Sequence, residues 1–222
     1  MYSRDDEPYN RFMDHPRPTA SIIFPEQYGE AARALGRAFI DDPPIRVLLP
    51  EPEDPVERAR LLTIFFEAIL GIQRGSGEPV IGVMMDDKVV AAAIVEGAGA
   101  ASIANLILHG LARVPGMLRS VGWGGMIRGI RLQGELFNNH PHEPHLYLNF
   151  LGVDPDYQRH HCGSVILEEL RRLAAARTSV CGVYLETGTE QNVAYYTSRG
   201  YEILGEIRPL GCRMWKMLQR RR

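Results

Sequence analysis

The sequence predicts a single α/β domain built on a mixed sheet with helices on both faces. Three observations lead to this prediction. The chain has 222 residues, the size of one large domain. Segments with strand and helix patterns alternate along it. The segment from 145 to 186 has the order strand, helix, strand, which folds as a right-handed parallel unit.

The first elements follow a polar N-terminal segment. Residues 1–18 are rich in Pro, Arg and Asp and predict a flexible arm. The β-branched run over 19–24 predicts the first strand. Apolar residues at helical spacing predict a helix over 26–39. We expect the residues Asp41-Asp42-Pro43-Pro44 to end it, because a residue before proline is disfavoured in helical conformation.

The next three elements form a helix and a hairpin. Residues 55–74 carry one apolar stripe with charged residues elsewhere, which predicts an amphipathic helix. Gly75-Ser76-Gly77 ends it. Two apolar runs over 80–85 and 89–95, joined by a short polar turn, predict an antiparallel hairpin.

The segment over 102–136 is helical in character but contains several helix-breaking residues. We therefore predict two helices or one broken helix, followed by a loop over 138–144. The interrupting residues are Pro115, Gly122, Gly124, Gly125 and Gly129.

The C-terminal third alternates strands and helices and completes a domain over 19–219. Residues 220–222 are predicted to be a basic tail. The expected strands are 145–153, 180–186, 201–207 and 213–218, and the expected helices are 162–177 and 191–199.

Composition excludes several classes of function. A net charge of −2 gives no basic field for nucleic acid or anionic lipid. Three widely spaced cysteines and the absence of a CxxC pair favour a cytoplasmic protein over a secreted disulfide framework. The uncharged stretch over 97–112 is too short to cross a bilayer. The histidines do not form a recognised ligand pattern, so no metal site is predicted.

A strand that runs into a helix start is the main candidate for a binding site. The strand ends near Val153, and the helix begins near Gly163. A helix start presents unpaired amides and a positive dipole end, and both suit a pyrophosphate. Arg159 and Ser164 add donors. The alternative is an ordinary strand–helix turn with an N-cap.

The sequence around this turn resembles motif A of the GCN5-related N-acetyltransferase superfamily. The motif is Val153-x-Pro155-x-x-Gln158-Arg159-x-x-x-Gly163-Ser164. The similarity continues through Tyr184-Leu185-Glu186-Thr187 and Asn192-x-x-x-Tyr196-x-x-x-Gly200-Tyr201. Strong matching covers about residues 140–217 and resembles the branch containing puromycin N-acetyltransferase. His161 departs from the pattern, because the family has its first motif glycine there. Its β-carbon narrows the loop unless the backbone takes a φ below zero.

The resemblance implies a splayed central pair of parallel strands in a mostly antiparallel sheet, with acetyl-CoA bound there as co-substrate. The amides of Leu151 and Val153 are expected to face the pantetheine arm and the thioester carbonyl. The implied cofactor-binding residues are Leu151, Gly152, Val153, Gln158, Arg159, His160, His161, Cys162, Gly163, Ser164, Asn192 and Tyr196. For Asn192, a role at the helix start is the alternative.

Three residues are candidates for catalysis. By family analogy Tyr196 protonates the departing thiolate, although it could instead only pack its ring and hydrogen-bond the sulfur. Glu186 is the first candidate for the base that deprotonates the amine, and structuring of the turn over 187–189 is its alternative. His145 comes next, together with Glu143. Cys162 lies where a helix start could lower its thiol pKa, but direct attack by the amine is the simpler route.

The preferred function is acetyl transfer from acetyl-CoA to a small-molecule amine in a ternary complex, by a protein that could form a homodimer. A non-catalytic acyl-CoA-binding module and a peptide or protein N-acetyltransferase are the alternatives. We expect the acceptor pocket to be walled by residues 41–50, 102–136 and 205–212. Asp41 and Asp42 could attract a cationic amine or could merely cap the turn.

Overall fold

A computed structural model describes residues 17–97 and 110–221. The predicted arm lies outside this part except for its last two residues, and so does the first part of the segment predicted to be helical from 102. Within the described ranges, no helix is both long enough and apolar enough to span a bilayer.

Seven strands form one mixed sheet, in the order β1-β2-β3-β4-β5-β7-β6. The predicted hairpin is β2 and β3, and its two turn residues, Asp86 and Asp87, both adopt positive φ. The strands are β1 Ala20–Ile23, β2 Val80–Met85, β3 Lys88–Glu96, β4 Leu146–Val153, β5 Gly182–Thr187, β6 Glu202–Ile207 and β7 Met214–Arg220.

The centre of the sheet is open. β4 and β5 are its parallel pair, and every other pairing is antiparallel. The two parallel strands pair only at Leu146 with Val183 and at Tyr147 with Tyr184. Beyond these residues they diverge, and their facing backbone groups border a gap. The splayed pair expected from the resemblance is therefore present.

Helices cover both faces of the sheet, as predicted. One apolar cluster joins the sheet to helices α1 to α4, and a second joins its other face to α5 and α6. The helices are α1 Tyr28–Ala38, α2 Pro43–Leu48, α3 Pro55–Gln73, α4 Val114–Phe137, α5 Cys162–Ala176 and α6 Glu190–Thr197.

Helix α2 was not predicted, because its two prolines were interpreted only as the end of α1. They occupy the first two positions of α2, where a missing amide hydrogen costs no helical bond. Asp42 caps this helix by accepting a hydrogen bond from the Ile45 amide at 3.1 Å. α1 has already ended at Ala38, so the two prolines begin a new helix.

Two arginines hold the C-terminal end of α2. Arg128 of α4 donates to the carbonyls of Val47 and Leu48 at 2.8 and 2.9 Å. The fully buried Arg58 of α3 donates to the carbonyls of Leu49 and Pro50. Arginine side chains commonly satisfy the last carbonyls of a helix. These bonds fix α2 relative to α3 and α4.

The helical segment is broken near Pro115 and at Gly122, as predicted. Residues 110–111 are helical and 112–113 form a turn, so Pro115 lies in the first turn of α4, which itself breaks at Gly122, with φ 64° and ψ 179°. One boundary needs correction: the basic tail does not begin at 220, because Arg220 is the last residue of β7 and pairs with Gly182 of β5, and the Arg221 amide donates to the Cys181 carbonyl at 2.7 Å.

Candidate active site

The start of α5 has the form expected of an anion site. His161 is its N-cap residue and makes no side-chain capping bond, so the first amides of the helix have no partner from that side chain. A β-carbon on Gly163 would lie 2.7 Å from the Tyr195 hydroxyl oxygen, closer than real contacts allow. Glycine at this position therefore lets α6 pack against the start of α5.

His161 adopts the left-handed conformation, with φ 63° and ψ 8°. Of the two alternatives for His161, the φ below zero is not the one adopted: the loop keeps the backbone that a glycine would take and places a histidine on it. Arg159 is also left-handed, with φ 68°. Such conformations cost a non-glycine residue roughly 1–2 kcal/mol. The loop therefore carries strain at two positions.

A groove of about 620 Å³ runs from the end of β4 to α6 past the start of α5. It brings together all the predicted cofactor residues except His160. The ring of His160 instead has its Nδ1 3.0 Å from the Gln158 carbonyl oxygen. The predicted residues lining the groove are Leu151, Gly152, Val153, Gln158, Arg159, His161, Cys162, Gly163, Ser164, Asn192 and Tyr196.

Among the groove residues that sequence reasoning missed, two contact each other on α6 and just beyond it. Tyr195 and Arg199 line the groove, and the Arg199 guanidinium stacks on the Tyr195 ring at 3.6 Å. Arg199 also donates to the Ser164 hydroxyl at 2.6 Å. Their spacing from Asn192, three and seven residues, places all three on one side of a helix. That spacing is the feature of the sequence from which Tyr195 and Arg199 could have been predicted to line the groove.

The free edge of β4 presents backbone groups to the gap. The Asp154 amide donates to the Val90 carbonyl of β3 at 2.8 Å. Backbone groups alternate in direction along a strand. The amides of Val153 and Leu151 therefore point away from β3, towards the open side. Two donors thus border the gap, as the resemblance implied.

A second cavity, of about 340 Å³, lies between the sheet and helices α2 to α4. It includes the predicted walls from Asp42 to Leu48 and from Met117 to Leu136. None of the residues 205–212 line it, because Ile207, Leu210 and Cys212 pack against the apolar cluster beside it. Two of the three predicted walls are therefore present.

Glu186 is a buried wall residue of this cavity, with a side chain only 1% exposed. Its Oε1 accepts a hydrogen bond from the Tyr184 hydroxyl at 2.7 Å. Its Oε2 has no hydrogen-bond partner in the described part of the chain. Burial raises the pKa of Glu186 to about 7, even though the Tyr184 bond lowers it. This carboxyl group can exchange a proton near neutral pH.

His145, the second candidate base, borders neither the groove nor the cavity. Its Nδ1 lies 2.8 Å from the Glu143 carbonyl oxygen. His140, which was not selected as a catalytic candidate, lies closer to the site, with its Nε2 3.5 Å from Glu186 Oε1. Burial and the neighbouring His145 lower the pKa of His140 to about 4, so its ring is neutral. In the described residues, no three His, Cys, Asp or Glu side chains group as metal ligands do.

The groove and the cavity meet at a shared wall. Tyr196, predicted to act on the thiolate, borders both spaces, and burial raises its pKa. Asp42 also borders both, and burial raises its pKa to about 6. Asn192 is a third shared residue, and Thr189 rather than Asn192 caps α6, with its hydroxyl 3.2 Å from the Asn192 amide. An extended ligand in the groove would thus meet a second ligand in the cavity beside Tyr196.

The fold thus places a groove and a cavity side by side at a splayed parallel strand pair. The family model described as "Acetyltransferase (GNAT) family" matches residues 47–201, well over half of the chain. The chain belongs to this family of acetyltransferases.

Solved structures with the same fold are distant in sequence. The histone acetyltransferase HPA2 and related acetyltransferase from Corynebacterium glutamicum has a TM-score of 0.65 at 19% sequence identity, and the match covers 92% of this chain and 96% of that one. Polyamine N acetyltransferase of Drosophila melanogaster has a TM-score of 0.56 at 13% sequence identity, and the match covers 91% of this chain and 99% of that one. Arylalkylamine N-acetyltransferase 2 of Aedes aegypti has a TM-score of 0.52 at 12% sequence identity, and the match covers 91% of this chain and 98% of that one. At these identities the likeness shows the fold.

Proposed function

We propose that the protein transfers the acetyl group of acetyl-CoA to an amine of a small molecule, by direct attack in a ternary complex. The observation that carries the proposal is the meeting of the groove and the cavity at Tyr196. A thioester at the end of the groove would lie beside an amine in the cavity. Bringing two reactants together in this way removes much of the entropic barrier to their reaction.

The groove suits acetyl-CoA at both ends. The amides at the start of α5, with Arg159, would bind the pyrophosphate. The amides of Leu151 and Val153 would hydrogen-bond the pantetheine arm and the thioester carbonyl. An amide directed at that oxygen stabilises the negative charge that develops during attack.

Glu186 is the proposed base. An alkylammonium with a pKa of about 10.4 leaves roughly one molecule in a thousand as free amine at pH 7, so a base is useful. A carboxyl with a pKa of about 7 is half ionised at neutral pH and can take the proton. The Tyr184 bond holds Oε1, and the buried Oε2, which has no hydrogen-bond partner in the described part of the chain, is the proposed acceptor of the proton.

Tyr196 is the proposed donor to the departing sulfur. Its raised pKa keeps the phenol protonated beside the thiolate, whose pKa is about 8.5. Full proton transfer to the sulfur is then uphill, so we propose that the phenol stabilises the leaving group chiefly by a hydrogen bond. This hydrogen bond would strengthen as negative charge develops on the sulfur. It would therefore stabilise the transition state more than the bound substrate and raise the rate.

Direct attack is favoured over an acyl-cysteine route. Cys162 borders the groove but is 1% exposed, and burial raises the pKa of its thiol. The position at a helix start could have lowered this pKa, but burial raises it instead. A buried, protonated thiol is a poor nucleophile.

The acceptor class rests on the form of the cavity, which is bordered by the sheet and three helices. Two solved structures with this fold are those of a polyamine N acetyltransferase and an arylalkylamine N-acetyltransferase. We also propose, on the motif resemblance alone, that the chain belongs to the branch containing puromycin N-acetyltransferase.

A thiol-detecting assay with acetyl-CoA and a panel of small amines tests the proposal. We expect CoA release that depends on the amine, together with thermal stabilisation by acetyl-CoA. Stabilisation without release for any amine would indicate a non-catalytic acyl-CoA-binding module. Release with peptides alone would indicate a peptide N-acetyltransferase.

A further inference from the structure

The cavity beside Glu186 is lined mainly by apolar side chains. Leu48 of α2, Phe65 of α3 and Phe150 of β4 border it, with Met117 and Leu132 of α4. Among the described lining residues there is no lysine or arginine. The volume of about 340 Å³ leaves room for a small molecule, since one water molecule takes up roughly 30 Å³ in the liquid. The space is therefore shaped for a small apolar body.

The charged groups of the cavity stand near the sheet. Asp42 and Glu186 are the acidic residues among the described lining residues, at the N-cap of α2 and on β5. Asp42 also borders the groove, so this acidic end faces the proposed acetyl donor. These two residues are the only acidic partners that the described lining offers to an ammonium group. Once deprotonated, the nitrogen of an amine placed beside the groove could attack the thioester.

The side of the cavity bordered by α2 and α4 has no charged partner for a second positive charge. The side chains of α2 and α4 that border it are mainly aliphatic, and the exposed Gln133 is their most polar member. Desolvating an ammonium without a partner is far more costly than burying a methylene is favourable. A diamine or polyamine would have to hold its second charge against these apolar side chains or extend it to solvent past Ile130, which is 70% exposed.

We propose, resting on the function proposed above, that the acceptor is a lipophilic primary monoamine. Its amino group binds between Asp42 and Glu186, and its aromatic or aliphatic body extends between α2 and α4. Glu186 takes one proton from the bound ammonium, which frees the nitrogen lone pair. The nitrogen then forms the new bond to the acetyl carbon as the carbon–sulfur bond breaks, and CoA leaves as the thiolate. The second proton of the nitrogen passes to that thiolate, which gives the neutral amide and the thiol of CoA.

Two matched amines test the proposal directly: hexylamine and 1,6-diaminohexane, which differ by one terminal amino group. We expect kcat/KM for hexylamine to exceed that for the diamine by about 100-fold or more. Along butylamine, pentylamine and hexylamine, kcat/KM should rise about fourfold per methylene, the change that burial of about 0.8 kcal/mol each produces. Equal or greater activity with the diamine would overturn the inference and leave the acetyltransferase function standing. Thiol release with no amine would overturn both.

A pair of variants on one helix tests the location of the apolar body. Gly129 borders the cavity, and a β-carbon there would be 3.8 Å from the nearest atom of Leu48. Gly129→Leu should therefore fill the cavity and lower kcat/KM for hexylamine at least tenfold, while methylamine changes less than about twofold. Gly134→Leu is the control, because Gly134 is exposed on the same helix with open space around it. Equal effects of both variants, or equal loss for both amines, would overturn the placement.

Discussion

Glu186→Gln is expected to stabilise the protein in alkaline solution while removing its activity. The glutamine keeps the size of the neutral carboxyl and can accept the Tyr184 hydrogen bond, but it cannot ionise. The folded protein holds the Glu186 carboxyl in its neutral form up to about pH 7, whereas the ordinary pKa is 4.5. Between these values the folded state binds a proton that the unfolded state has lost.

The magnitude follows from that difference in pKa. Stability from the neutral carboxyl is fully present below pH 4.5 and is lost as pH rises through about 7. The free energy of unfolding thereby falls by about 3 kcal/mol in total, at 1.36 kcal/mol per pKa unit. The nearby Lys216 lowers and Glu96 raises the same pKa, and both remain in the variant. The variant should thus match the wild type near pH 4.5 and exceed it by about 2–3 kcal/mol at pH 8.

Denaturant unfolding of both proteins at pH 5 and pH 8 measures this effect. At pH 8 the stability difference corresponds to a melting temperature roughly 5–10 °C higher for the variant. The same substitution at Glu202, which is exposed on β6, is the control and should leave the stability difference independent of pH. If Glu186→Gln proved no more stable than the wild type at pH 8, the carboxylate would be better solvated than the structure indicates, and the reasoning would be refuted.

Three further predictions follow from the groove. His161→Gly should raise the free energy of unfolding by about 0.5–1 kcal/mol, because relief of the left-handed strain exceeds the entropic cost of glycine; an unchanged or lower melting temperature would mean that the histidine makes compensating contacts. Tyr196→Phe should lower kcat about 10²-fold with little change in KM for acetyl-CoA, while Tyr195→Phe, which alters the groove wall, should change KM more than kcat. Equal kcat losses would assign Tyr196 a packing role. Acetyl-CoA at 100 times its Kd should stabilise the fold by about 2.7 kcal/mol, and a melting curve unchanged at millimolar acetyl-CoA would contradict the assignment of the groove.

Local pattern predicted most of the elements that build the site. The hairpin, the strand–helix–strand unit and α6 each follow from apolar spacing within one segment, and these elements place Tyr196 and Gly163 correctly along the groove. The splay of β4 and β5 did not come from spacing. It was expected only from the resemblance, because the divergence of two strands is decided by what packs beside them.

The wrong or missing predictions concern features that depend on contacts and burial, which the local sequence pattern does not contain. Paired prolines can follow the end of one helix or begin the next one. Here they begin a helix, because the Asp42 side chain accepts the Ile45 amide and caps the N-terminus of α2. His140 reaches Glu186 only because the loop after α4 folds back over β5, a contact between distant parts of the chain. The pKa of Cys162 depends on burial, which a helix-start motif does not reveal.

The central claim is that an amine in the cavity takes the acetyl group from a thioester in the groove, with Glu186 as base. Parallel quantification of CoA and N-acetylated hexylamine in one reaction, for the wild type and for Glu186→Gln, tests it most directly. We predict a one-to-one ratio of the two products for the wild type and a rate at least about 10²-fold lower for the variant. CoA release without acetylated amine, or an unchanged rate in Glu186→Gln, would contradict the account.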